Sequence, residues 1–135
     1  MERPGVGVNA IIIRGNKVLL GKRKGRPGEG QWAFPGGRLK LYEDVKEGAV
    51  RETAEETGLV IKNLKVGLYT NDIARRDELH YISLFFITEI DSGEPKLTEL
   101  DKFYEWNWFE WDKLPEPLFL PVNNLLAQGF NPFRK

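Results

Sequence analysis

Apolar positions fall into short blocks along the chain, separated by glycine, proline and asparagine. Val6 to Ile13 is apolar and rich in β-branched residues, which predicts a strand. Gly15-Asn16 supplies a hairpin turn into a second strand, KVLLGKR, ending at Arg23. The stretch 25–37, GRPGEGQWAFPGG, reads as a glycine- and proline-rich loop. Residues 44–57 are predicted helical, with Gly58 just past the end, where a left-handed residue commonly closes a helix. LVIKNLKVGLYT gives one interrupted strand or two short ones, and the polar residues 71–79 a loop. HYISLFFITEI is the strongest strand pattern in the chain. YEWNWFEW alternates, which puts Trp106 and Trp108 on one face of a strand, as core or subunit contact. Pro121 then opens a short helix, PVNNLLAQ, closed by Gly129. Strands with one central and one C-terminal helix, and no repeat or linker, predict a mixed α/β fold in a single domain over 1–135.

Composition narrows the chemistry. The 135 residues carry 20 basic and 20 acidic side chains, so no net charge favours a polynucleotide or an anionic membrane as partner. There is no cysteine and His80 is the only histidine, which excludes disulfides, thiolate sites and histidine-rich zinc sites. Any metal must then be held by oxygen, which points to Mg²⁺ or Mn²⁺. The opening MERPGVGV has no signal-type apolar core and no run is long enough to span a bilayer, so the expected location is cytoplasmic.

The predicted central helix ends in RETAEETG. Each helical residue turns about 100°, so Glu55 and Glu56 lie on the same side as Glu52. A solvated acidic face is the ordinary meaning of such a run, but three details oppose it. Glu52 and Glu56 repel at i, i+4 by roughly 0.2–0.5 kcal/mol. The cluster occupies the last two turns, where the helix dipole disfavours anions. No lysine or arginine follows any of the three glutamates at i+4. A divalent cation would offset all three penalties. Gly36-Gly37 after Pro35 permits a tight turn that brings backbone close to a ligand, and its carbonyls are further hard oxygen donors.

Gly37, Glu43 six residues on, and then Arg51-Glu52-Thr53-Ala54-Glu55-Glu56-Thr57-Gly58-Leu59 resemble the Nudix box, GX5EX7REUXEEXGU with U apolar. Every fixed position matches; Thr53 stands where an aliphatic residue is usual. RPGVGV, LLGKRKG, FPGG, EPK, the Trp106/Trp108/Trp111 pattern and GFNPF extend the similarity to MutT-like nucleoside triphosphate diphosphatases over nearly the whole chain.

The resemblance implies a Nudix α/β/α sandwich with a mixed β-sheet and metal-dependent cleavage of a nucleoside diphosphate linked to a further group. The first expectation is a modified or purine nucleoside triphosphate cut to the monophosphate and pyrophosphate. The alternatives are dihydroneopterin triphosphate, ADP-ribose or a nucleotide sugar, or a module that senses nucleotides without turnover. Glu52 and Glu56 are the expected leading ligands of Mg²⁺ or Mn²⁺, supported by Glu55 and the Gly36 carbonyl; Glu99 or Glu105 is a further candidate ligand. Which glutamate serves as general base varies across the family; the resemblance favours Glu52, oriented by Arg51, and places Glu55 with them in the catalytic set, with Glu43 anchoring the loop. Arg23 is the expected phosphate contact. Gly37 lies in the turn against the ligand, Phe34, Phe119 and Leu120 form the base slot, and Asn71, His80 and Gln31 are its polar readers. Relatives are often homodimers, which exposed aromatic residues late in the chain would suit.

Overall fold

The computed structural model describes residues 1–134. Its strands are β1 (Gly5–Arg14), β2 (Lys17–Arg23), β3 (Trp32–Ala33), β4 (Gly36–Arg38), β5 (Val60–Ala74), β6 (Leu79–Ser92) and β7 (Phe103–Glu110). The helices are α1 (Val45–Thr57) and α2 (Leu120–Ala127), with single 3₁₀ turns at Arg75–Asp77 and Trp111–Lys113. Among the described residues no helix is long and apolar enough to cross a membrane.

The seven strands make one mixed sheet. β1 runs parallel to β6 along nine residues, Gly5 facing Tyr81 through Ile13 facing Glu89. On its other side β1 pairs antiparallel with β4 at its start and with β2 at the hairpin. β2 also pairs with β3 and β7, and β5 closes the sheet beyond β6.

Successive β1 side chains go to opposite faces, and both faces are covered. Val8, Ala10 and Ile12 pack with Ala49, Leu59, Ile61 and Phe86 on the α1 side. Ile11 packs with Val18, Leu20, Phe34, Phe85, Val122 and Leu125 on the α2 side. This is the expected helix–sheet–helix sandwich. Burying each such large side chain is worth about 1.5–3 kcal/mol, which fixes the register of β1 against both layers.

α1 has a defined start and stop. The Asp44 carboxylate accepts from the Lys46 and Glu47 amides at 3.0 and 3.3 Å. Gly58 sits at φ 75° and its N–H donates to the Ala54 carbonyl at 2.9 Å. Ala49, Thr53 and Thr57 form the buried side of the helix.

Two expectations are corrected. The loop predicted over 71–79 is mostly strand: β5 runs to Ala74, β6 starts at Leu79, and only residues 75–78 turn. Polarity misleads here because this hairpin has exposed outward positions, and β5 also bends at register shifts between Lys62 and Lys65 and between Val66 and Tyr69. The glycine-rich stretch 25–37 contains β3 and the start of β4, which are too short to give a periodic pattern.

Candidate active site

The α1 acids and the sheet meet at β4. Gly37 faces Glu52 so closely that a Cβ there would overlap the carboxylate, and a Cβ on Gly36 would strike the Val8 carbonyl and Asn9. Only glycine lets the helix and β1 approach β4 from both sides. Glu56 is 5% exposed, and its Oε1 accepts from the Gly36 amide at 2.9 Å. Burial pushes its carboxyl up to about 8; the Gly36 amide opposes this, while Glu52 and Glu99 add repulsion.

Arg51 organises the outer acids. Its Nε and Nη2 grip both oxygens of Glu43 at 2.8 and 3.0 Å, and Nη1 reaches Glu52 Oε1 at 2.8 Å. Nη2 also donates to the Arg38 carbonyl at 3.0 Å. Glu43 accepts from the Lys40 amide at 3.0 Å, so one ion pair ties the β4–α1 loop to the helix. A base therefore does relieve Glu52, one residue before it instead of four after. Glu55 is 49% exposed, 3.4 Å from Arg51, on the outer flank of the cluster. Glu56 has no cationic partner within ion-pair distance among the described residues.

Of the two late acids, the fold brings Glu99 to the cluster and not Glu105. Glu99 Oε2 pairs with Lys102 at 3.2 Å, whereas its Oε1 is buried with no hydrogen-bond partner. Glu105 is exposed and accepts from Asn107. A partnerless buried carboxylate oxygen beside a buried carboxylate that resists ionisation fits a hard divalent cation. Among the described residues no three acids already converge as ligands, so binding an ion requires these side chains to re-aim.

A cleft of about 500 Å³ opens from Gly36 and Gly37 along the α2 face of the sheet. Arg23, Phe34, Gly37, Phe119 and Leu120 all line it, as does Gln31. Arg23 lies over the Phe119 ring at 4.1 Å and donates from Nε to the Pro27 carbonyl at 2.9 Å. Burial lowers its pKa, and the nearby Glu56 charge opposes that. Gly28 makes room for Phe119, since a Cβ there would overlap the ring. Phe34 is largely core: it is 3% exposed and stacks on Trp111 at 6.3 Å.

Asn71 and His80 bond to each other outside the cleft lining. In their place stand polar residues that sequence reasoning missed, among them Asn9, Asp72, Ser83 and Asn123. Asp72 is buried and accepts from the Thr70 and Ser83 hydroxyls and from Asn124 Nδ2. The period-two spacing of Thr70 and Asp72 carried this signal, which a loop assignment over 71–79 concealed. Trp106 and Trp108 do lie apart from the cleft, packed against the α1-side core.

A sheet between two helices, with the acidic turn of α1 facing a glycine strand and a nucleotide-sized cleft, defines a hydrolase of the Nudix class. The model of the NUDIX domain matches residues 3–128, and the chain belongs to that family, whose members cut phosphoanhydride bonds in nucleoside diphosphate-linked compounds. The chain is similar to an ADP-ribose pyrophosphatase of Methanocaldococcus jannaschii, 41% identical over 118 residues, 86% of this chain and 68% of that protein. It is 32% identical over 106 residues to the oxidized purine nucleoside triphosphate hydrolase of Mus musculus, covering 78% of this chain and 65% of that one. It thus spans about two thirds of the length of these curated relatives. A solved MutT NUDIX hydrolase from Burkholderia pseudomallei superposes with a TM-score of 0.90 at 32% identity, over 96% of this chain and 100% of that one.

Proposed function

We propose that this chain hydrolyses a phosphoanhydride of a nucleotide held in the α2-side cleft, using Mg²⁺ or Mn²⁺ at the α1 acids and releasing the nucleoside monophosphate. The observation that carries this reading is Glu56, a buried carboxylate at the junction of α1 and the cleft, with the partnerless Glu99 Oε1 nearby.

Glu52, Glu56 and Glu99 are the side chains that would hold the cation, with Glu55 and the Gly36 carbonyl as supporting donors. A bound divalent cation would neutralise phosphate oxygens and acidify the attacking water. Water adds at one phosphorus, the bridging P–O bond breaks, and the two phosphates depart with the elements of water divided between them. Glu52 takes the proton from the water, and Arg51 fixes its carboxylate through the 2.8 Å bond. Arg23 offers Nη donors to a phosphate oxygen, since only its Nε is committed to the protein. Phe119 and Leu120 flank the base.

Two substrates compete. A modified purine nucleoside triphosphate, leaving pyrophosphate, agrees with the sequence motifs and with the activity named for the Mus musculus relative. A nucleoside diphosphate joined to a sugar, leaving a sugar phosphate, is favoured by the higher identity to the relative named ADP-ribose pyrophosphatase.

The test is a panel of nucleoside triphosphates, ADP-ribose and nucleotide sugars with Mg²⁺, reading the nucleotide product and the released phosphate species. Glu56→Gln should remove most turnover; unchanged hydrolysis in that variant ends the assignment of the acids.

A further inference from the structure

We infer that Arg38 and Tyr81 form an outer subsite that holds the uncharged group joined to a nucleoside diphosphate, and so set which diphosphates the cleft accepts. This rests on the reading that the diphosphate lies at Gly36 and the α1 acids.

Gly36 and Arg38 are two residues apart on β4, about 6.5 Å along the strand, and both line the cleft. Arg38 thus stands further along β4 than Gly36, beyond the place of cleavage. The floor beneath it is built on glycine. Gly7 pairs with both Arg38 and Ser83, and Gly5 pairs with Tyr81. A Cβ on Gly5 would overlap the Tyr81 ring at 2.5 Å, so the ring lies across β1 only because residue 5 has no side chain. The Arg38 guanidinium stands 5.7 Å from that ring's centroid. Arg38 has no carboxylate partner among the described residues, and its carbonyl is tied to Arg51. One guanidinium therefore faces the cleft with its donors uncommitted while its backbone is anchored to the acidic helix.

The inner end of the cleft repeats the arrangement, with Arg23 over Phe119. The surroundings differ. Arg23 is half-buried, and Gly28 and Pro27 line the cleft with it, whereas at the outer end the β5–β6 turn brings Ala74, Asp77 and Leu79 into the lining. Arg38 and Asp77 cancel in charge. A leaving pyrophosphate would meet Asp77 as a repulsive neighbour. A hydroxyl-bearing ring would meet an aromatic face, guanidinium donors and a carboxylate acceptor. The outer end thus suits a sugar or nucleoside better than a further phosphate.

The experiment compares calorimetric binding of the α,β-methylene analogues of ADP and ADP-ribose, which cannot be cut, in the presence of Mg²⁺. The wild type is expected to bind the ADP-ribose analogue about tenfold tighter than the ADP analogue. Arg38→Gln and Tyr81→Ala should bring the two within about twofold while leaving the ADP analogue's affinity in place. Gly5→Ala should do the same by displacing the Tyr81 ring. Equal affinities in the wild type, no binding of either analogue at about 1 mM, or an increment untouched in the exposed-site variant Arg38→Gln would each overturn the subsite. AMP release from ADP-ribose itself reports on hydrolysis separately. An intact increment without turnover sinks the hydrolytic reading alone, and turnover without an increment sinks the subsite alone.

Discussion

Arg51 and Glu43 form a two-point ion pair, Nε to Oε2 at 2.8 Å and Nη2 to Oε1 at 3.0 Å, that clamps the β4–α1 loop to the second turn of α1. Because the same guanidinium holds Glu52 and the Arg38 carbonyl, its position sets the aim of the acidic cluster. A lysine carries the charge but not the fork, so it can satisfy one of these partners at a time. Arg51→Lys is expected to lower kcat by about 10–100-fold with a smaller change in KM, measured on whichever nucleotide the panel identifies. A KM effect alone would mean that Arg51 touches substrate instead of positioning Glu52.

The partner in that pair makes an acid-side prediction. The Arg51 side chain first, and the Lys40 amide second, hold the Glu43 carboxyl down at about 2 from an ordinary 4.5. Between those values the unfolded chain binds the proton and the folded one does not, so stability is present above the ordinary value and falls as pH drops toward 2. Thermal melts should therefore lose Tm over this range, and Glu43→Gln should flatten that limb while lowering Tm at neutral pH. An unchanged acid limb in Glu43→Gln would remove Glu43 as its source.

Glu56 has the opposite sign. Burial lifts its carboxyl from 4.5 to about 8, so in metal-free protein the folded state holds a proton that the unfolded chain releases. Stability then falls as pH rises from about 4.5 to about 8. Tm of protein in EDTA should decline across this window, and Glu56→Gln should abolish the decline. Mg²⁺ at pH 8 should raise Tm in the wild type far more than in the variant, since only the wild type gains a ligand that binds the folded state. A Tm independent of pH in EDTA would contradict the buried carboxylate.

How far these features could be read from sequence follows the range of the interactions that make them. Asp44, Gly58 and the 3.6-residue spacing of the glutamates are local signals, so α1 and its acidic ridge were predictable to within a residue. The hairpin at Gly15-Asn16 was equally local. The cleft was less accessible because it is assembled across strands distant in sequence. Asn9, Arg38, Asp72, Ser83 and Asn123 converge only through the β1–β6 and β1–β4 registers and the packing of α2. Asn71 and His80 show the same limit from the other side: their polarity suggested readers of a base, but the strand period turns them out of the cleft, toward each other.

Thr53 departs from the aliphatic residue usual in the box, and its surroundings have not adapted to the hydroxyl. The side chain is fully buried and Oγ1 has no hydrogen-bond partner. A buried hydroxyl without a partner costs about 1–3 kcal/mol, and valine has nearly the same shape. Thr53→Val should raise unfolding stability by about 1–2 kcal/mol in chemical denaturation, with no change in the denaturant slope. A destabilised variant would indicate that Oγ1 is satisfied by a buried water.

Tyr42 lies at the tip of the clamped loop, between Lys40 and Glu43, with φ at 65° and the residue 97% exposed. The left-handed conformation costs a residue with a Cβ roughly 1–2 kcal/mol, and an exposed ring returns little by packing. The conformation persists because the turn is pinned on both sides. The Glu43 amide donates to the Lys40 carbonyl at 3.2 Å, and the Glu43 carboxylate accepts from the Lys40 amide at 3.0 Å. Glycine removes the steric cost but loses about 0.5–1 kcal/mol more backbone entropy on folding. The balance favours Tyr42→Gly by about 0.5–1 kcal/mol in stability, with no effect on kcat, because the ring reaches neither the acids nor the cleft. Should Tyr42→Gly instead lose stability, or should kcat/KM fall with the fold intact, the exposed ring would have a ligand or partner that holds the loop in place.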